Sequence, residues 1–138
     1  TLIALKWWER RRFYKLLRLA RISVPELRRL IDSGRAPAIV DVRTGRSFAT
    51  QHIPGALRMT FEELGEQLAS LPADGEIVLY CTCPNEASAA RVARALMDRG
   101  FTRVRPLEGG LDSWLAAGLP TDEETLVTVR PPLEATAG

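Results

Sequence analysis

The spacing of apolar positions changes several times along the chain, and each change marks an element. Two short apolar runs, 38–42 (Ala-Ile-Val-Asp-Val) and 77–81 (Ile-Val-Leu-Tyr-Cys), read as strands buried on both faces. Helical spacing governs two other stretches. Leu27, Leu30 and Ile31 share one face of a helix opened by Ser23-Val24-Pro25-Glu26, a capping box in which the Ser hydroxyl accepts from the Glu26 amide and Glu26 reaches back, and Gly34 ends it. Ala89, Val92, Ala93 and Leu96 face inward on a helix from about 86 to 99, with Arg91, Arg94 and Asp98 outward and Gly100 as its stop. Around these lie shorter pieces: an edge strand at Arg21-Ile22-Ser23, a polar loop or helical turn over 43–51, a tight turn at His52-Ile53-Pro54-Gly55-Ala56 and a strand at Leu57-Arg58-Met59. A second capping box, Thr60-Phe61-Glu62-Glu63, opens a helix through about Ser70, a strand follows at Arg103-Val104-Arg105, and a turn at Leu107-Glu108-Gly109-Gly110 leads to a short helix around Trp114.

Strands alternating with helices predict an α/β fold with an open, mostly parallel sheet. In such sheets ligands bind beyond the carboxyl ends of the strands. The chain divides into a basic juxtamembrane-type helix at 1–20, a domain at 21–119, and a disordered tail at 120–138 that contains Asp122-Glu123-Glu124 and Pro131-Pro132.

The 138 residues suffice for one domain with a core, and 46% hydrophobic with 26% charged residues is ordinary for a soluble protein. With no initiator Met and no signal peptide, the chain reads as an excised fragment. Charge is unevenly placed: residues 1–35 carry ten Lys or Arg against three acids, and the remainder nine Arg against fourteen acids. The basic character therefore belongs to the first helix. Its order of Leu-Ile-Ala-Leu, Trp7-Trp8 and then clustered Arg fits the point where a transmembrane helix leaves the bilayer on the cytoplasmic side. An amphipathic packed helix, with Leu5, Trp8, Phe13, Leu16, Leu17 and Ala20 roughly on one face, is the second reading, and nucleic-acid contact a distant third; no nucleic acid is expected as a partner. On the first reading Lys6, Arg10, Arg11, Arg12, Lys15 and Arg18 meet anionic lipid, and a chain beginning at Ile22 keeps its fold.

Two cysteines one residue apart do not form a disulfide framework, which points to a reducing compartment or to a fold independent of disulfides. Two Cys and one His fall short of a zinc site, so no metal is expected. Cys81 ends a strand and precedes a loop into a helix N-terminus, where successive amides favour thiolate over thiol. It is the candidate nucleophile. Cys83 is either a resolving thiol or a loop residue of no consequence. His52 reads as a turn-stabilising hydrogen bonder, Asp41 and Arg43 as a structural pair near the site, and Trp114 as packing.

Four stretches in this order resemble the rhodanese (sulfurtransferase) domain family over about residues 22–117: Val40-Asp41-Val42-Arg43, His52-Ile53-Pro54-Gly55-Ala56, Tyr80-Cys81, and Leu107-Glu108-Gly109-Gly110 with Trp114. The resemblance implies a three-layer fold with a mostly parallel five-stranded sheet and helices on both faces. It implies a catalytic Cys81 that carries sulfane sulfur as a persulfide between a small sulfur donor and a thiophilic acceptor, without metal or organic cofactor. The active-site loop would be Thr82, Cys83, Pro84, Asn85, Glu86 and Ala87. The Cys-x-Cys-Pro-Asn-Glu loop is similar to rhodanese domains fused behind DedA-type membrane proteins, which implies a place on the cytoplasmic face of the inner (plasma) membrane. A common family loop reads Cys-Arg-x-Gly-x-Arg-Ser; here both arginines are absent, Pro84 removes an amide donor, and Glu86 stands where a cation is usual. Those departures imply poor use of thiosulfate and keep open a catalytically weak or inactive binding and regulatory module. Ala87 in place of an arginine six residues past the cysteine makes phosphoryl transfer unlike this loop.

Overall fold

The structure is a computed structural model that describes residues 2–43, 47–82 and 87–123. Four parallel strands, β1 (Ala38–Asp41), β2 (Leu57–Arg58), β3 (Ile77–Tyr80) and β4 (Val104–Pro106), lie in the order β2-β1-β3-β4. The chain steps outward from β1 to β2, then returns across β1 to place β3 on its other side. This reversal puts the topological switch point between the carboxyl ends of β1 and β3. All three pairings are parallel, so these ends share one edge of the sheet.

The apolar runs form strands because helices cover both of their faces. Val40, Val42, Ile77, Leu79 and Cys81 point to one side, where they pack with Leu17 of α1 (Leu2–Leu19), Leu64 of a short helix, and Ala89, Val92, Ala93 and Leu96 of the helix after the cysteine. Ile39, Val78 and Tyr80 point to the other, against Val24 and Leu27 of α2 (Val24–Asp32) and Leu111 and Trp114 of the last helix. The remaining helices are α3 (Ser47–Thr50), α4 (Leu64–Gln67, followed by a 3-10 turn over Leu68–Ser70), α5 (Ala87–Asp98) and α6 (Gly110–Ala116). The three-layer α/β architecture is thus present, with small Ala side chains letting α5 lie close to the sheet.

Among the described residues the sheet has four strands where the family resemblance implies five. Arg21–Ser23, the expected edge, joins through Ile22 alone: the Ile22 amide donates to the Pro106 carbonyl at 3.0 Å and the Ile22 carbonyl accepts from the Glu108 amide at 2.9 Å. Pairing stops there because Ser23 caps α2, its Oγ accepting from the Glu26 amide at 3.2 Å. The Glu26 carboxylate turns to Arg105 at 3.3 Å instead of back to the cap. The second box is met in part: the Thr60 amide donates to Glu63 Oε1 at 3.4 Å, as the reach-back requires, but no helix starts there. The Thr60 hydroxyl donates to Glu63 Oε1 at 3.1 Å, a turn follows, and the helix begins only at Leu64 and narrows to a 3-10 turn. Gly65 inside the segment weakens the longer helix.

Two expected boundaries change. Residues 120–122 belong to the domain: Trp114 Nε1 donates to the Pro120 carbonyl at 2.8 Å, and His52 and Asp122 exchange backbone hydrogen bonds at 2.9 Å. The rest of the expected tail, 124–138, lies outside the described residues. The helix expected at 1–20 is present, but its face is not the one anticipated. Leu17 is buried and Phe13 packs against the same core, whereas Leu5, Trp8 and Leu16 are exposed. Arg105 fixes the end of the helix by donating to the carbonyls of Ala20 at 2.8 Å and Arg21 at 3.1 Å. A chain beginning at Ile22 would therefore uncover core and strip Arg105 of these acceptors, contrary to the expectation that truncation is neutral. Among the described residues no helix is long and apolar enough to cross a membrane.

Leu17→Ala is expected to cost about 2–3 kcal/mol in chemical denaturation, in the range for deleting a buried leucine. A loss under about 0.5 kcal/mol, the usual size for a surface change, would mean that α1 does not pack on the domain.

Candidate functional site

The carboxyl edge of the sheet is organised by a buried charge. Asp41, the last residue of β1, has no exposed surface. Its carboxylate receives Arg43 Nε at 2.9 and 3.0 Å and Arg43 NH2 at 2.6 Å, and the Arg43 amide donates to Oδ1 at 2.9 Å. A fork-on-fork pair of this kind satisfies both carboxylate oxygens and compensates their burial. Arg43 also donates to the Gln51 carbonyl, which ties the start of the 52–56 turn to the pair. Burial alone would lower the Arg43 guanidinium; the hydrogen bond and charge of Asp41 outweigh that and hold it above its ordinary value.

Tyr80 ends β3 directly beside Asp41 in the register. Its ring carries the Arg43 guanidinium 5.7 Å from the centroid. Its hydroxyl accepts from the Ile53 amide at 3.0 Å. Burial first, and the negative charge of Asp41 second, push the phenol well above its ordinary value, so it stays neutral. The turn it holds is a tight one: the Ala56 amide donates to the Ile53 carbonyl at 3.0 Å, with Gly55 at φ +84° where a side chain would be strained. His52 is buried at the entry to this turn, anchored through its backbone to Asp122. The structural roles read from the sequence for Asp41 and Arg43 are those found; the tyrosine's part in the network was not read there, although Tyr at the end of an otherwise aliphatic strand was a signal for a buried hydroxyl needing a partner.

Cys81 follows Tyr80 and points to the opposite face of the sheet, where it belongs, at 3% exposure, to the buried cluster that also holds Val42, Met59, Ala89 and Ala90. Its carbonyl accepts from the Leu111 amide at 3.2 Å. Gly110, the first residue of α6, stands behind that bond at φ +57°, and a Cβ there would lie 2.0 Å from the Cys81 carbonyl oxygen. The Gly-Gly turn is thus the clamp on the backbone of the thiol residue. Its spacing was legible in the sequence, but the reason for the second glycine required the fold, because Cys81 and Gly110 are distant in the chain. Trp114 is fully buried in the other layer and holds α6 in place.

The fold brings Cys81 to the expected strand end and Thr82, exposed, to the surface after it. Ala87 is the first residue of α5. Cys83, Pro84, Asn85 and Glu86 lie outside the described residues. The arrangement can present one thiol between the switch point and a helix start, on a backbone fixed from both sides.

Comparison with known proteins agrees with this geometry. The family profile described as Rhodanese-like domain matches residues 23–117. An HTH-type transcriptional regulator of Mycobacterium tuberculosis is 39% identical over 105 residues, 74% of this chain and 44% of that protein; the chain thus spans under half of the regulator's length. A thiosulfate sulfurtransferase GlpE of Actinobacillus pleuropneumoniae is 31% identical over 84 residues, 61% of this chain and 76% of the relative. The solution structure of a rhodanese-like domain from Anabaena superposes with a TM-score of 0.65 at 30% identity, over 75% of this chain and 78% of that one.

Gly110→Ala is expected to destabilise the domain by more than about 2 kcal/mol, because the left-handed backbone alone costs an alanine about 1–2 kcal/mol and the methyl must displace the Cys81 carbonyl. The alkylation rate of Cys81 should change with it. A variant with unchanged stability and unchanged Cys81 alkylation would remove the clamp from the account.

Proposed function

We propose, since this chain belongs to the rhodanese-like domain family, that it carries sulfane sulfur as a persulfide on Cys81. The Cys81 thiolate attacks the outer sulfur of a donor. In thiosulfate that sulfur's bond to the sulfonate breaks and sulfite leaves with the electron pair. An acceptor thiolate then attacks the outer sulfur of the persulfide, takes it, and returns Cys81 as thiolate. The observation that carries this reading is the position of Cys81: the end of a central strand at the switch point, with its carbonyl clamped by α6 and the loop to α5 directly after it. The named sulfurtransferase among the relatives supports the reaction class.

Intact-mass spectrometry after incubation with thiosulfate and with a small alkyl persulfide is expected to add one sulfur to the wild type and none to Cys81→Ser. The alkyl persulfide should be the better donor, because Glu86 opposes an anion. Glu86→Arg should raise loading by thiosulfate about two- to fivefold, the rate equivalent of the roughly 0.3–1 kcal/mol that a charge near a helix N-terminus contributes. Sulfur on Cys83 in place of Cys81 would reassign the nucleophile. No sulfur from either donor would favour the second reading, a rhodanese-like binding or regulatory module, for which the loss of both loop arginines and the presence of Pro84 speak.

The outward side of α1 supports attachment to a membrane surface, with the domain on the cytoplasmic face behind a DedA-type membrane protein. Trp7 and Trp8 are more than half exposed, and Arg11 and Arg12 stack on them at 4.8 and 5.5 Å. Aromatic rings at headgroup depth beside basic residues fit an anionic leaflet, where each cation contributes about 1 kcal/mol. Since α1 also packs on the domain, substitutions serve better than truncation. Anionic vesicles should sediment the wild type at low salt and lose it at high salt, and Trp7→Ser with Trp8→Ser should not sediment. Equal sedimentation of the variant would remove the membrane from the proposal.

A further inference from the structure

Opposite the Trp face, α1 forms one wall of a groove of about 630 Å3 that the sulfurtransferase reading does not use. Lys6, Glu9, Arg10 and Phe13 line it from α1, and Arg91 and Arg94 from α5; Phe61, in the turn after β2, completes the lining. Arg91 lies 4.2 Å above the Phe61 ring and Arg94 4.8 Å above the Phe13 ring. Stacking of this kind holds a guanidinium in one plane and leaves its N–H edges free to meet an anion. Four cations against one carboxylate make the lining strongly positive. One cation is already shared, since Arg94 is 3.6 Å from Asp98.

The groove lies on the nucleophile's side of the sheet. Cys81 belongs to the same buried cluster as Met59, Ala89 and Ala90; Phe61 follows two residues after Met59, and Arg91 directly after Ala90. Arg91 stands four residues into α5, about 6 Å along the helix from its start. The cations that the loop lacks are therefore available one turn further along α5, in a space within the usual range of small-molecule sites.

We infer that this groove binds the anionic end of the sulfur acceptor, a thiol bearing two or more carboxylate or phosphate charges, whose thiol reaches toward Cys81. The inference rests on the sulfurtransferase reading for the word acceptor and on the groove alone for the binding. It also gives α1 two duties on two faces: one toward the outside, one completing a substrate site. The acceptor thiolate takes the outer sulfur of the Cys81 persulfide, the S–S bond breaks toward Cys81, and no further oxidant or reductant is consumed.

Calorimetry with two thiol-free probes, tricarballylate and inorganic pyrophosphate, tests the groove on the whole chain, and the tighter of the two tells carboxylate from phosphate recognition. At least one is expected to bind, and to weaken at least about tenfold in Arg91→Gln with Arg94→Gln, since losing a charged hydrogen bond costs about 1.5–3 kcal/mol. Lys6→Gln with Arg10→Gln, on the other wall, should weaken it likewise. In sulfur transfer from the loaded protein, mercaptosuccinate should show a lower KM than mercaptoethanol, and both variant pairs should narrow that difference. Binding of neither probe, or binding unchanged within twofold in both pairs, overturns the inference. Failure of Cys81 to take up sulfur would instead strike the sulfurtransferase reading, while the calorimetry still decides the groove.

Discussion

A carboxylate without access to water governs this domain. Asp41 sits at the end of β1 with both oxygens clasped by Arg43 and with Tyr80 beside it in the register. Taking Arg43 away would leave a buried charge uncompensated, a loss of about 3–5 kcal/mol in comparable pairs. Each of these two neighbours also performs a second task. Arg43 reaches the Gln51 carbonyl and Tyr80 accepts from the Ile53 amide, so the pair fixes the 52–56 turn as well as the ends of β1 and β3. Cys81 is the residue after Tyr80. Its place therefore depends on a network that lies on the other face of the sheet from its own sulfur.

That division of faces follows from the two-residue period of a strand. Tyr80 turns to the layer of α2 and α6, Cys81 to the layer of α1 and α5. One layer holds the polar network and the packing that stiffens it, including Trp114. The other holds the thiol under small alanines. The clamp from Gly110 and Leu111 joins the two, because α6 belongs to the first layer yet bonds the backbone of the residue whose side chain belongs to the second.

Much of this was legible in the residues. The apolar runs at 38–42 and 77–81, the inward face of α5, the Ser23 cap and the Pro-Gly turn are local signals, and the fold realises each of them. Signals that depend on contacts between distant segments were not. Ile22 looks like the middle of a strand, but the adjacent cap on α2 leaves it a single bridge. The Thr60 box looks like the start of a long helix; its reach-back bond forms, but Glu63, also 3.4 Å from Arg58, is itself the cap of a helix that begins only at Leu64. The reason for Gly110 lies nearly thirty residues upstream. The strand end that carries Cys81 was therefore legible in the sequence, while what holds and surrounds it was not.

The first helix illustrates why pattern alone misplaced a face. Its apolar residues are spread too evenly to define one stripe, so periodicity grouped Leu5, Trp8 and Leu16 with Phe13, Leu17 and Ala20. Packing separates them. Near its end, Phe13 and Leu17 meet the core and Arg105 holds the exit of the chain, and this sets the rotation of the whole helix. Residues one and two turns earlier must then follow: Lys6 and Arg10 fall toward α5, while Trp7, Trp8, Arg11 and Arg12 fall away from it. A helix anchored at one end thus carries cations on both sides for different physical reasons. Those facing α5 are brought near Arg91 and Arg94 despite mutual repulsion, a cost that Glu9 and the aromatic faces of Phe13 and Phe61 only partly offset. A cluster of like charges kept together by packing is the condition under which an anion gains most from entering.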